Sequence, residues 1–244
     1  DAGRDARGQH VANLLAFQPD EEIAQVLAMA DFESSDYLVM ATRKGLVKKT
    51  RLSEYDKNRQ GGIIAINLAD DDELIAARQV SETDDLMLFS RKGMSARFTA
   101  NDATLRPMGR ATSGVIGMRF RADDSLLSMD VVTPGAFVVT ITDGGFAKRT
   151  PESEWSAKGR GILGVRAMKL VEERGSLVGA MICDASDQLF AIASNGIVIR
   201  TRVEEVRPSG RDTMGVTLMN LAEGDSIVAV ARGGEADEAD EDAP

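Results

Sequence analysis

The chain is 244 residues long and 43% hydrophobic, enough to bury a core in one large β domain or two small ones, and no apolar run approaches the ~18 residues of a membrane span. Its net charge is −10, but six carboxylates sit in the last ten residues, EADEADEDAP, and without them the charge is −4. One histidine, His10, and one cysteine, Cys183, leave no zinc site, no Ser-His or Cys-His pairing and no internal disulfide, which points to a reducing cytoplasm and a chain without catalytic residues, metal or cofactor.

Residues 1–36 open on the polar DAGRDARGQH, which is no signal peptide, and continue through Asn13-Leu14 to the acidic-then-apolar DEEIAQVLAM (20–29). The next 196 residues repeat with a period of about fifty. Four segments read strand, glycine-centred turn, strand: YLVMATRKGLVKKT (37–50), DLMLFSRKGMSARF (85–98), AFVVTITDGGFAKRT (136–150) and QLFAIASNGIVIRT (188–201). Their turn glycines, Gly45, Gly93, Gly145 and Gly196, supply the positive φ that a tight hairpin needs.

Between hairpins comes G-R-x-x-x-G, at 3–8, 109–114, 159–164 and 210–215, with NRQGG (58–62) one residue shorter. A third element follows, acidic and then apolar: DDELIAARQV, DDSLLSMDVV, GSLVGAMICD and GDSIVAVARG. This pattern predicts an all-β fold, a propeller-like array of four-stranded blades of about fifty residues. Residues 1–36 supply a half blade, and 37–84, 85–135, 136–187 and 188–232 supply four blades. The last ten residues, 235–244, with their six carboxylates, read as a disordered tail that could compete as a polyanion for a basic face.

The third of the six-residue elements, GRGILG (159–164), also satisfies the G-x-G-x-x-G template of a dinucleotide turn. Such a turn follows a strand and opens a helix. Here PESEWSAK precedes it and the strand-like VRAMKL follows, so it is a repeat element with an additional glycine, Gly161. Cys183 reads as a buried inert thiol, and Trp155 as a packing residue. The paired acids Asp71-Asp72 and Asp123-Asp124 read as solvated turn charge.

Bases recur at fixed offsets. Four residues past each hairpin glycine stand Lys49, Arg97, Arg149 and Arg200, preceded in two copies by Lys48 and Lys148. The turns add Arg43, Lys44, Arg91 and Lys92, and the G-R-x-x-x-G elements add Arg4, Arg59, Arg110, Arg160 and Arg211, with Lys158 beside the third. Equivalent positions in a propeller fall on rings, so these bases predict a cationic rim suited to the phosphates of duplex DNA. Aromatic residues make up 5%, too few for a base-stacking platform for single strands.

The hairpins RKGLVKKT, DGGFAKRT and SNGIVIRT and the segments RATSGVIGMRF and GVTLMNLAEGD resemble the C-terminal domains of DNA gyrase A subunits over essentially the whole chain. The resemblance implies a β-pinwheel that wraps duplex DNA on its basic perimeter, so that the ATP-driven enzyme introduces negative supercoils. It implies two partners, the ATPase B subunit of that enzyme and the N-terminal part of the A subunit, with no membrane involved. It also implies an N-terminally truncated fragment. The family's box, about Q-R/K-R-G-G-R/K-G, is matched in degenerate form by Lys158, Gly159, Arg160, Gly161, Ile162, Leu163 and Gly164: lysine replaces glutamine, and Ile162 and Leu163 replace a glycine and a base. The equivalent domain of topoisomerase IV and a protein-interaction propeller are the alternative readings.

Overall fold

The computed structural model describes residues 21–57 and 61–233. Its strands in chain order are β1 (Tyr37–Thr42), β2 (Leu46–Arg51), β3 (Leu74–Val80), β4 (Asp85–Ser90), β5 (Met94–Thr99), β6 (Val115–Ile116), β7 (Leu126–Val131), β8 (Phe137–Thr142), β9 (Phe146–Pro151), β10 (Val165–Arg166), β11 (Leu177–Cys183), β12 (Gln188–Ala193), β13 (Val198–Arg202), β14 (Val216–Thr217) and β15 (Ile227–Gly233). The fold is all-β, with three four-stranded sheets and one three-stranded sheet among the described residues.

Each sheet is built on one of the four hairpins. Tyr37 pairs with Arg51, Asp85 with Thr99, Phe137 with Pro151 and Gln188 with Arg202. Gly45, Gly93, Gly145 and Gly196 all have φ between 81° and 86°, the left-handed region that glycine enters without strain. The third strand of each repeat pairs with the first strand of its own hairpin, and these third strands lie side by side: β3 packs against β7, β7 against β11 and β11 against β15. They form the inner edge of the array.

The fourth strand comes from elsewhere. β6 belongs to the second repeat but pairs with β2 of the first, with Val47 opposite Val115. In the same way β10 crosses to β5, and β14 to β9. Unit boundaries at residues 84, 135 and 187 therefore keep each hairpin with its inner strand but sever it from its outer one. The fourth sheet, ordered β13-β12-β15, has no such fourth strand among the described residues.

This crossing explains the closing glycine of the repeated element. Gly164 has φ 76° and lies directly against the carbonyl of Ser95, where a Cβ would stand 2.7 Å from the carbonyl carbon. Gly114 meets Val47 in the same way, and Gly215 meets Ala147. The outer strand can dock on the preceding hairpin only where no side chain intervenes. Beyond it the amides of Gly117, Ala167 and Leu218 donate to the carbonyls of Gly45, Gly93 and Gly145, at 2.7–2.8 Å.

The core lies between the sheets. Alternation along a strand sends Val39 and Ala41 toward Leu86, Leu88 and Phe98 of the next sheet, while Leu38 and Met40 face the other way. Met87 and Phe89 meet Val138, Ala180 and Ile182, and Val139 and Ile141 meet Leu189 and Ala191. β1 is consequently buried on both faces along its whole length. Trp155 packs with the second of these layers and donates its Nε1–H to Ser95 Oγ at 2.8 Å.

The segment DEEIAQVLAM matches the inner-strand pattern, yet its described residues form no strand. An inner strand takes its hydrogen bonds from the hairpin of its own repeat, and residues 1–36 contain no hairpin sequence. Leu27, Met29 and Phe32 instead cover Leu38, Met40 and Ala77 on the outer face of the first sheet. The first G-R-x-x-x-G copy with Arg4, residue Arg59 and the acidic tail at 235–244 lie outside the described residues.

Candidate nucleic-acid interface

Because β3, β7, β11 and β15 form the inner edge, the perimeter is made by the exchanged strands and the loops that lead into them. Residues 106–121, from Arg106 to Arg121, contain four bases and no carboxylate; residues 156–170 contain four bases and no carboxylate; residues 207–221 contain two bases and Asp212. The whole chain has 29 bases against 39 acids. The outer rim is therefore cationic although the protein is acidic.

In the middle loop Lys158 and Arg160 are exposed. Arg160 is held by two backbone carbonyls of the preceding repeat, Thr104 at 2.7 Å and Ile116 at 3.1 Å, and the Lys158 amide donates to Arg97 at 2.8 Å. Gly159 is open to solvent, with nothing within 4 Å of a Cβ placed there, and Gly161 adopts φ 72°. Ile162, where the family box has glycine, packs against the core between the first two sheets and bridges to Met118. Leu163 is 43% exposed.

Arg110 and Arg211 occupy the equivalent positions of the neighbouring loops and are half-buried. The Arg110 guanidinium donates to the Ile64 carbonyl at 2.5 Å. That of Arg211 lies 5.8 Å from the Trp155 ring centroid and 3.9 Å from Glu154.

The bases four residues past the hairpin glycines do not form an exposed ring, and this corrects the sequence expectation. Lys48, Lys49 and Lys148 are at most 1% exposed. Lys48 donates to the carbonyls of Ala65 and Arg110, and Lys148 to those of Gly210 and Arg211. Lys49 reaches the Ala100 carbonyl at 2.7 Å and Asp102 at 2.8 Å. Burial lowers the Lys48 and Lys148 ammonium groups to a pKa of about 8.

Arg97 is enclosed by Asp85 and Glu152. Arg149 is half-buried over the Phe137 ring at 4.7 Å, with a buried Nε that has no partner. Arg200, exposed, donates to Gln188. The physical reason lies in the second hairpin strand, which has a neighbouring sheet on one face and the next repeat's loop on the other.

The turn bases are partly neutralised where they stand. Arg43 pairs with Glu73, and Lys44 with Asp71, whose carboxyl is held below its usual range by that ammonium. Arg91 and Lys92 are exposed, and Lys92 Nζ donates to the Ala122 carbonyl at 3.3 Å. The neighbouring acids do more than solvate: Asp72 accepts the Lys44 amide and Asp124 the Lys92 amide, each at 3.0 Å, so they latch the hairpin turns.

Further cations, absent from the sequence expectation, complete the rim. Arg119 and Lys169 stand five residues past Gly114 and Gly164 and are exposed, as are Arg106, Arg121, Arg166 and Arg207. Their positional equivalents are Asn67 and Asn220, so alignment of the repeats on the closing glycine was the available signal. Lys92, Arg119, Arg121, Arg166 and Arg211 line an open groove of about 700 Å³ among the second, third and fourth repeats, beside Asp124, Glu154 and Asp212. Arg166 pairs with Asp212 at 2.6 Å and lowers that carboxyl's pKa.

This arrangement can hold a polyanion along a curved path. Cationic groups on successive repeats face outward, with exposed glycine backbone between them. Cys183, by contrast, is fully buried and its thiol is pushed up to about 12 by that burial, which makes it unsuited to nucleophilic chemistry. Among the described residues no cluster of three metal-ligating side chains occurs, and no helix is long and apolar enough to cross a membrane.

A family model described as the DNA gyrase C-terminal domain, beta-propeller, matches residues 36–81, 84–133, 136–184 and 187–232. The DNA gyrase A subunit of Streptomyces coelicolor is 62% identical over 241 residues, covering 97% of this chain and 28% of that protein. That of Mycobacterium tuberculosis H37Rv is 55% identical over 235 residues, covering 96% and 28%. The chain thus spans under a third of the length of these curated relatives. Among solved structures, the C-terminal domain of a DNA topoisomerase IV superposes with a TM-score of 0.85 at 25% identity, covering 93% of this chain and 71% of that one. A DNA gyrase A C-terminal domain gives 0.81 at 25% identity, covering 93% and 76%.

Proposed function

This chain belongs to the family of DNA gyrase C-terminal domains, and on that premise we propose that it binds duplex DNA on its outer rim and bends it around the array of blades. The supporting observation is the separation of charge. Ten bases and one carboxylate occupy the three described rim elements of a chain whose net charge is −10. Such a surface contacts phosphates without reading sequence, and each neutralised phosphate releases counterions. Bending a 20–30 bp duplex costs on the order of 1–6 kcal/mol, offset by the phosphates that successive rim loops reach.

On this reading the chain is a non-catalytic part of an ATP-hydrolysing type II topoisomerase in the cytoplasm. Together with the ATPase B subunit, it presents DNA to the N-terminal part of the A subunit so that negative supercoils are introduced. Identities of 55–62% to gyrase A subunits favour gyrase over the topoisomerase IV equivalent, which resembles this chain in fold at 25% identity.

The test is duplex affinity of the chain against salt. With about 6–10 phosphates neutralised, affinity drops roughly 10³–10⁵-fold between about 50 and 200 mM salt. Replacing Lys158, Arg160 and Arg166 together with glutamine lowers the slope by about 0.9 for each phosphate no longer neutralised. No binding at low salt, or a slope indifferent to these three residues, overturns the reading and makes a protein partner the better assignment for the rim.

A further inference from the structure

We propose that Lys48 and Lys148 are positioning residues that aim the rim arginines of the following repeat, Arg110 and Arg211, at the bound polyanion. The inference rests on the reading of the rim as a DNA surface. Each lysine projects from the second strand of a hairpin, under the exchanged strand, and ends beneath the loop that carries the arginine. Lys148 Nζ donates to Gly210 O at 2.7 Å, to Arg211 O, and to Thr213 Oγ1 at 3.4 Å. Lys48 Nζ donates to Arg110 O and Ala65 O.

A carboxylate grips the other side of the same residue. Glu154 accepts the Arg211 N–H at 3.0 Å, and Glu54 accepts the Arg110 N–H at 3.3 Å. Each rim arginine therefore has its backbone N–H and its C=O both fixed by charged groups of the preceding repeat. A fully buried ammonium is costly unless its donors are used, and an apolar side chain of similar length would fill the same space. What lysine adds is a set of donors converging on the carbonyls under the loop.

The middle loop supplies the contrast. At the position of Lys48 and Lys148 the second repeat has Ala96, and at the position of the two glutamates it has Asp102, which is engaged with Lys49. Among the described residues no lysine clamps Lys158–Gly164 from below, and Arg160 is held by its own guanidinium instead. Two rim loops are thus aimed from beneath, and one is not.

The test is a set of double-mutant cycles on the 244-residue chain, using duplex DNA at fixed salt and hydrogen exchange of the loop amides. Lys148→Met should weaken binding roughly 10-fold, the worth of one charge-assisted hydrogen bond. Arg211→Gln should then add little, because the arginine is already misdirected. Lys148→Met and Arg160→Gln should multiply, since that loop has no lysine clamp. Exchange should quicken at residues 210–214 and stay unchanged at 159–164, with the melt still cooperative.

Unchanged affinity in Lys148→Met, or losses that multiply with Arg211 as they do with Arg160, overturns the proposal. If the methionine variant does not melt cooperatively, Lys148→Gln, which keeps a donor for one carbonyl, carries the same cycles. A wild-type chain that binds no duplex instead removes the DNA reading of the rim. The exchange measurement then decides the clamp alone: faster exchange confined to 210–214 supports it, and no local change refutes it.

Discussion

Arg97 of the second repeat and Glu152 of the third form an ion pair across the repeat boundary, with 16% and 12% of their side chains exposed. The guanidinium also meets Asp85 at 2.8 Å and the carbonyls of Glu152 and Trp155 at 3.1 and 2.9 Å. A cation so enclosed joins two blades and has little left to offer a phosphate. Arg97→Met leaves two carboxylates without their partner in a confined space and should destabilise the fold by roughly 3–5 kcal/mol. Urea denaturation measures this. A loss below about 1 kcal/mol accompanied by a large loss of DNA affinity would return Arg97 to the interface.

Within the box-like stretch the glycines are not equivalent. Gly164 combines φ 76° with contact against the Ser95 carbonyl, whereas a Cβ at Gly159 meets nothing within 4 Å. Gly164→Ala should cost about 1–3 kcal/mol from the backbone alone, with more from displacing β10. Gly159→Ala should stay within about 0.5 kcal/mol. Thermal melts of the two variants compare them directly, and equal shifts would mean that the strand crossing does not depend on close approach at Gly164.

The buried lysines give stability a rising alkaline limb. Below pH 8 both the folded and unfolded states hold the Lys48 and Lys148 protons. Between about 8 and the ordinary value of 10.5 the unfolded chain holds them and the folded one does not. The unfolded state then binds more protons, so this contribution to stability increases with pH across that window and is complete above it. Its size is roughly 3 kcal/mol per lysine as an upper bound. Denaturation of the wild type and of the Lys48→Met, Lys148→Met double variant from pH 7 to 10.5 isolates it. Parallel curves for the two proteins would refute it.

Cys183 should be inert in the folded protein. With no exposed surface and a pKa of about 12, it offers almost no thiolate at pH 8. A disulfide reagent should label it only as fast as the fourth sheet opens, and promptly in denaturant. Equal rates in the two conditions would contradict its burial between β11 and the neighbouring sheet.

The hairpins, the inner strands of the four repeats that have one, and the repeat period of about fifty residues are determined by the sequence itself. Each is a local matter: apolar residues alternate along a few positions, and glycine occupies a turn that requires positive φ. What only the tertiary structure decided is which strand completes which sheet and where each base ends. β6, β10 and β14 are two residues long, and even the strand-like VRAMKL around β10 does not say which hairpin it joins, so their pairing depends on a hairpin about seventy residues earlier.

The bases show the same division. Lys49 and Arg119 carry the same charge in repeated surroundings, yet one is sealed under Ala100 and Asp102 while the other faces solvent. A strand buried on both faces gives alternation nothing to distinguish. Whether a lysine meets water or a carbonyl from a loop some sixty residues away depends on how neighbouring blades stack, and that is set by packing between repeats rather than within one.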